Sequence, residues 1–299
     1  MKKLKYYISS FRLRTLPLSV SGIILGCMLA GAAGFFDWTI FWTAIATTLC
    51  LQILSNLANE LGDLQKGTDN EERLGPIRSI QSGQLTIKEF TRVIGLFAIL
   101  SIVFGTSLIF SAFHSLLRVK SLIMLLLGGA AIAAAIKYTV GKNAYGYRGL
   151  GDIFVFLFFG LLSTAGSWFL MTHMLPAGIL LPAAAIGFLS AGVLNMNNIR
   201  DIQNDARCGK RTLPVIMGEK NARIYQCCLV GGAILCMLLY SILNDNGLCG
   251  FIYLLTLPLF YLHLRNVWHK TGRELDPQLR FLSVSTLLFS ILSGLSQIL

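Results

Sequence analysis

Residues 39–63 read TIFWTAIATTLCLQILSNLANELGD. From 39 to 59 the stretch is mostly apolar, over about the 20 residues a helix needs to cross the roughly 30 Å hydrocarbon layer of a bilayer. Its last turns then become a run of amide and carboxylate side chains. A helix is the element required, because backbone groups facing lipid have no water to bond and must be satisfied within their own segment. Working outward in both directions, the same alternation of apolar run and polar break gives nine helices, at 16–35, 39–59, 93–111, 121–138, 152–172, 177–197, 224–243, 248–264 and 281–299. The expected fold is an all-α, polytopic membrane protein in which residues 1–299 form a single transmembrane domain.

Composition agrees. Of the 299 residues 55% are hydrophobic and 13% charged, about half the charge of an average soluble domain. That balance excludes a disordered chain, an ordinary soluble enzyme and a nucleic-acid-binding domain. The net charge of +11 reads as topology: with nine spans, 23 of the 25 Lys and Arg residues fall in the N-terminus and the loops 60–92, 137–149, 199–223 and 265–280. The other side holds only Arg118 and Lys120. Cytoplasmic loops collect Lys and Arg, so the N-terminus and the two longest polar loops are expected in the cytoplasm of a bacterium, with the chain in its inner membrane. The N-terminal MKKLKYYISSFRLR lacks a signal-peptide pattern and is read as a retained end. Seven scattered cysteines without a C-x-x-C pair suggest neither a disulfide framework nor a zinc site. The four histidines, near span ends and without ligand spacing, read as interfacial. Gly22 to Gly26 and Gly160 to Thr164 are small-x-x-x-small patterns that permit close helix packing.

Eleven of the 14 acidic residues lie in three of the basic loops. At the end of the second span, Asn56, Asn59, Glu60 and Asp63 fall at i, i+3, i+4 and i+7, one face of a continuing helix. At the end of the sixth, NMNNIRDIQND places Asn198, Asp201 and Asp205 at i, i+3 and i+7. The two loops share N-x-x-x-D-[LI]-Q, in Asn59 to Asp63-Leu64-Gln65 and Asn197 to Asp201-Ile202-Gln203. Carboxylates this close to hydrocarbon are costly and usually functional. Two facing sets of hard oxygen ligands suit Mg²⁺, which takes one or two carboxylates while substrate phosphates complete its shell. Bases follow each cluster, Lys66, Arg73 and Arg78 after the first, Lys210 and Arg211 after the second, and would bind an anionic diphosphate.

These motifs carry a resemblance. The pair of aspartate-rich motifs after the second and sixth of nine helices, with NLAN…GD…KGTD…RLGPIR, YTVG…YGYRGLGD and NNIRDI…D…GKRTLPV, resembles the UbiA superfamily of intramembrane aromatic prenyltransferases over most of the chain. The resemblance implies nine helices around a central cavity and transfer of a polyprenyl chain from polyprenyl diphosphate to an aromatic acid acceptor. The first candidate acceptor is 1,4-dihydroxy-2-naphthoate, with loss of carbon dioxide and formation of demethylmenaquinone. It also implies that Asn59, Asp63 and Asp69, then Asp201 and Asp205, hold Mg²⁺ and serve catalysis, with Glu60 as a metal ligand where the family usually has Asp. Asn56, Lys66, Arg73, Arg78, Asn198, Lys210 and Arg211 are the expected diphosphate ligands.

For the acceptor side the expectation rests on KYTVGKNAYGYRGLGD. Tyr138, Tyr145 and Tyr147 offer rings that stabilise a cation, Arg148 could pair with the acceptor carboxylate, and Asp152 opens the next span. The aromatic belt at a membrane interface is the plain alternative for these tyrosines. Two further functional readings stand beside the first, the same reaction on 4-hydroxybenzoate or homogentisate and, more remotely, an ion-coupled transporter. A transporter needs ionisable groups near mid-bilayer, whereas here they gather at one face.

Overall fold

The computed structural model describes residues 2–76, 78–245 and 247–299. Within them the chain is helical, with no strand. The helices are α1 Lys2–Ser10, α2 Leu16–Ala32, α3 Trp38–Gln65, α4 Ile87–Phe113, α5 Val119–Lys137, α6 Gly151–Thr172, α7 Leu180–Arg200, α8 Ile202–Arg207, α9 Leu213–Met217, α10 Glu219–Leu243, α11 Leu257–His269 and α12 Asp276–Ile298. Eight helical segments among the described residues are long and apolar enough to span a bilayer. The ninth expected span, 248–264, is built in two pieces, a 3₁₀ stretch Cys249–Thr256 running into α11, with Pro258 in the first turn of the α-helix. Proline lacks the donor a continuous helix would need there but suits a helix start. Eight 3₁₀ and thirteen α residues still reach about 35 Å at ~2.0 and ~1.5 Å per residue.

Local chemistry starts the helices where the polar breaks stand. Asp37 Oδ1 accepts from Ile40 N at 2.9 Å to begin α3. Thr86 and Glu89 form a capping box that begins α4, and the pair satisfies two of the free amides of the first turn. Packing then sorts the helices. α2 lies against α12, α3 against α4, and α7 against both α6 and α10. α7 is the central element, with Ala183, Ala185, Ile186, Leu189 and Met196 fully buried. α5 is peripheral and presents Leu122, Ile123 and Leu126 outward, the surface a multi-pass membrane protein offers to lipid.

The glycine patterns serve close approach. A Cβ at Gly26 would run into the Thr164 backbone, and one at Gly160 would stand 2.7 Å from both Ala183 O and Gly187 N. Facing α6 is π-helical from Phe156 to Ala165, a rare widening of the helix that often marks a functional segment. The histidine reading needs correction at His263, which is fully buried. It stands between Gln226 (Nε2 to Nε2, 3.0 Å) and Gln278 (Nδ1 to Oε1, 3.2 Å), and Gln226 in turn accepts from Asn195 Nδ2 at 2.9 Å. This polar chain ties α7, α10, α11 and α12 together, because each member would otherwise be an unpaired group in an apolar interior.

Candidate active site

α3 continues two turns past its apolar run, to Gln65. Asn56, Asn59 and Asp63 consequently project from its tip into a cavity of about 340 Å³. α7 arrives from the opposite side and ends at Arg200. Asp201 is the hinge to α8, and Asn197, Asp201, Asn204 and Asp205 complete the polar end of the same cavity. The two acid-tipped helix ends therefore line one cavity. Away from this end the cavity runs between apolar walls that include Leu108, Ile109, Phe158, Phe159 and Leu162.

Each carboxylate is held differently. Asp63 Oδ1 accepts from the Tyr147 hydroxyl at 2.8 Å. That hydroxyl also lies 2.5 Å from Thr68 Oγ1, while Asn204 Nδ2 donates to Thr68 O at 2.9 Å. One short chain of hydrogen bonds thus joins both acidic loops and the tyrosine loop. The Tyr147 ring is a platform for cations, with Lys66 Nζ 4.0 Å and Lys210 Nζ 5.4 Å from its centroid. Burial, then the Asp63 charge, push the Tyr147 phenol well above its ordinary value, so it stays a neutral donor. Asp201 is gripped by Arg200, Nε to Oδ1 at 3.1 Å and Nη2 to Oδ2 at 2.5 Å. Burial by itself would raise the Asp201 carboxyl, but this guanidinium holds it below the usual range. Arg200 also reaches Asn197 Oδ1 at 2.9 Å and Asp276. Asp205 faces Lys210 at 3.5 Å. Burial pushes its carboxyl up to about 6 against the pull of Lys210. Burial opposes the Lys210 charge, yet Asp63 and Asp205 outweigh it and keep the ammonium charged.

Ten of the expected site residues line the cavity: Asn56, Asn59, Asp63, Arg73, Arg78, Tyr138, Tyr145, Asp201, Asp205 and Lys210. Others stand elsewhere. Glu60, expected as a metal ligand, is buried off the cavity wall, and its Oε1 accepts from Ser79 N at 2.8 Å and Ile80 N at 3.2 Å. It anchors the returning loop, because one residue of helical rotation from Asn59 turns it toward that loop's free amides. Asp69, also off the wall, ion-pairs with Arg73 Nε at 2.8 Å and Arg78 Nε at 3.5 Å, so it orients two cavity guanidiniums. Asn198 is buried outside the wall, and its neighbour Asn197 lines it instead. Lys66 reaches the site only through the Tyr147 ring. Arg211 is exposed, and Arg148 is exposed with its guanidinium 2.5 Å from Asn143 Oδ1. Asp152 is buried beside the Tyr225 hydroxyl at 3.5 Å. Asn56 is committed to the N-terminal segment, donating to Phe11 O at 2.9 Å.

Several cavity residues have no role assigned by the sequence: Arg12 and Thr15 in RLRTLP, Thr68 in KGTD, and Gln52, which lies in no motif. Asn197 and Asn204 were legible in the N-x-x-x-D-I-Q-N-D string, whose repeat picks out Asn197 as the counterpart of Asn59. On the aromatic wall Tyr138 and Tyr145 meet edge to face at 5.3 Å, and Tyr145 stacks on Phe154 at 3.9 Å. Gly62 is required where the tyrosine loop docks on α3, since a Cβ there would stand 2.7 Å from the Thr139 backbone.

The donor set suits a hard divalent cation. Asp205 Oδ2 is buried with no hydrogen-bond partner among the described residues, and Asp63, held through Oδ1 by Tyr147, lines the same cavity. No three His, Cys, Asp or Glu side chains converge as a ready cage among those residues. That arrangement fits Mg²⁺, which takes few carboxylates and relies on phosphate oxygens and water for the rest.

Known proteins resemble this chain. A 1,4-dihydroxy-2-naphthoate octaprenyltransferase of Escherichia coli is 44% identical over 271 residues, 91% of this chain and 86% of its own. A protein of the same name from Haemophilus influenzae is 41% identical over 298 residues, 98% and 96%. Among solved structures, the apo UbiA homologue of Aeropyrum pernix superposes with a TM-score of 0.69 at 18% identity, covering 93% of this chain and 96% of that one. A UbiA homologue of Archaeoglobus fulgidus bound to DMAPP and Mg²⁺ superposes at 0.61 and 16%, covering 96% and 98%. Residues 19–285 match the UbiA prenyltransferase family across nearly the whole chain, and the protein belongs to that family.

Proposed function

We propose that this protein transfers a polyprenyl group from polyprenyl diphosphate to 1,4-dihydroxy-2-naphthoate, releasing diphosphate and carbon dioxide and giving demethylmenaquinone in its reduced, quinol form. The observation that carries the reading is the opposition of two acid-tipped helix ends, α3 and α7, at the polar end of a cavity whose other walls are apolar and aromatic. The names of the relatives at 44% and 41% identity support the acceptor. The distribution of Lys and Arg supports an orientation in the bacterial inner membrane with the polar end of the cavity at the cytoplasmic face.

Asp63 and Asp205, with Asp201 close by, would hold Mg²⁺ between the helix ends. Bound there, the metal supplies Lewis-acid stabilisation of the charge that develops on the departing diphosphate. Lys210, and Lys66 behind the Tyr147 ring, add positive charge on the same side and draw the anion to the carboxylates. Tyr147 holds Asp63 through Oδ1 and so fixes its carboxylate at the cavity wall. As the allylic C–O bond breaks, its electron pair leaves with the diphosphate. The apolar walls exclude the water that would quench the allylic cation, and the faces of Tyr138 and Tyr145 favour positive charge. The acceptor's ring carbon bearing the carboxylate attacks the allylic carbon. Loss of the carboxylate as carbon dioxide then returns its bonding pair to the ring and restores aromaticity.

The test is acceptor competition. Membranes containing the protein are incubated with octaprenyl diphosphate, Mg²⁺ and equal amounts of 1,4-dihydroxy-2-naphthoate, 4-hydroxybenzoate and homogentisate, and products are identified by mass. Prenylated naphthoquinol lacking the carboxylate is expected to dominate. Product from 4-hydroxybenzoate or homogentisate alone would overturn the acceptor assignment.

A further inference from the structure

Arg12 stands between α1 and the 3₁₀ turn Leu13–Thr15 with φ 51° and ψ 59°, a left-handed conformation that few non-glycine residues adopt. Such strain persists where the surroundings impose it, and an observed outlier points to function. Three contacts impose it here. Asn56 Nδ2 donates to Phe11 O at 2.9 Å, Thr15 Oγ1 donates to Arg12 O at 2.9 Å, and Gln52 Nε2 donates to Thr15 Oγ1 at 3.2 Å. Two amide side chains one turn apart on α3 are thus spent on holding this bend.

The bend delivers the Arg12 guanidinium to the cavity wall. Its Nε and Nη2 are shielded from solvent and have no hydrogen-bond partner among the described residues. Its basic neighbours each stand within ion-pair distance of a carboxylate, Arg14 of Asp276, Arg73 and Arg78 of Asp69, Arg200 of Asp201 and Asp276. Arginine does not shed its proton, and donors shielded from water without a partner are costly, so an anion belongs on this edge of the guanidinium. Arg78, Arg73, Glu60 and Asp69 are charged neighbours of Arg12. The diphosphate has its own cations in Lys210 and Lys66. Arg148, the residue that sequence reading offers for the acceptor carboxylate, is exposed and off the cavity wall.

We propose that Arg12 binds the carboxylate of the aromatic acceptor and makes the site selective for aromatic acids over phenols that lack the acid group. The inference rests on the prenyl-transfer reading above. The planar guanidinium fork matches both carboxylate oxygens, and anchoring that group fixes which ring carbon faces the allylic chain.

The protein in lipid nanodiscs is titrated with 1-hydroxy-2-naphthoate, which bears the carboxylate, with 1-naphthol, which lacks it, and with farnesyl thiolodiphosphate plus Mg²⁺. The wild type is expected to bind the naphthoate at least tenfold more tightly than the naphthol. Arg12→Gln removes that preference while its thiolodiphosphate affinity stays within twofold of wild type, which also shows that the variant is folded. Arg12→Lys, keeping the charge but not the fork, falls between. The proposal is overturned if Arg12→Gln keeps the preference, if it weakens the thiolodiphosphate instead, or if Arg148→Gln rather than Arg12→Gln loses the preference. A wild type that takes up thiolodiphosphate with Mg²⁺ but discriminates for no acid sinks the Arg12 assignment alone. One that binds none of the probes sinks the prenyl-transfer reading beneath it.

Discussion

Tyr147 is the place where the geometry can be interrogated most finely, because one side chain does two separable things. Its hydroxyl holds Asp63 Oδ1 at 2.8 Å, and its ring seats Lys66 Nζ at 4.0 Å and Lys210 Nζ at 5.4 Å. Tyr147→Phe removes only the first. A hydrogen bond to a charged group contributes about 1.5–3 kcal/mol, which corresponds to a loss of about 10- to 150-fold in kcat/KM if all of it is expressed in the transition state. Tyr147→Leu removes the ring as well. Cation–ring contacts contribute about 0.5–2 kcal/mol, depending on how far they are desolvated, so Leu should be about tenfold worse than Phe. The assay is initial-rate prenyl transfer in nanodiscs, with prenyl diphosphate and acceptor varied separately. The loss should fall on the diphosphate side, leaving KM for the acceptor within about twofold on the transition-state arithmetic. A Phe variant indistinguishable from wild type, or Leu equal to Phe, would refute the division of labour assigned to this residue.

Two further outcomes follow from the same site and its supports. Because burial raises the Asp205 carboxyl to about 6, the neutral form occupies the ligand position below that pH. The half-saturating Mg²⁺ concentration should then rise as pH falls below about 6, by up to about tenfold per unit if one proton is displaced, and flatten above it; a constant value from pH 5 to 7 contradicts the assignment. The same raised value means the native apoprotein binds this proton more tightly than the unfolded chain, so the group's stabilising contribution is present at low pH and is lost as pH rises through about 6. Gly160→Ala should lower the thermal midpoint measurably, by about 1–3 kcal/mol of overpacking, because α6 and α7 meet there backbone to backbone; an unchanged midpoint would show that this contact yields freely.

The parts of this design that were legible in the sequence are those fixed by local pattern. Length and apolarity placed the helices, and the i, i+3, i+7 stripe on α3 put Asn56, Asn59 and Asp63 on one face. Gly22, Gly26 and Gly160 were read as close-packing positions and are found in that role. What escaped was set by partners distant in the chain. Glu60 shares the helical stripe but meets the amides of Ser79 and Ile80, and Asp69 meets Arg73 and Arg78, so carboxylates that look like ligands serve as struts. Helical spacing selects Asn198 with Asp201 and Asp205, whereas the cavity takes Asn197, because the hinge at Asp201 ends the helical register that spacing assumes. His263 looked interfacial from its position near a span end, yet Gln226 and Gln278 enclose it. Arg12 lies in RLRTLP, where the family resemblance begins, but that stretch assigns it no role. Its significance comes from a left-handed backbone and from donors left without partners, neither of which a one-dimensional pattern records.

In the proposed mechanism the tips of α3 and α7 together form one Mg²⁺-dependent diphosphate site. Asp63→Asn and Asp201→Asn each exchange a carboxylate for an isosteric amide on opposite helices, with no change in span hydropathy large enough to alter insertion. Mg²⁺-dependent prenyl transfer by each variant, measured in nanodiscs beside wild type at matched protein incorporation, is the most direct test. Both variants are predicted to lose transfer by at least about a hundredfold, as expected when a charged transition-state contact is removed. Near wild-type turnover by either one, with Mg²⁺ present, would contradict the two-helix site.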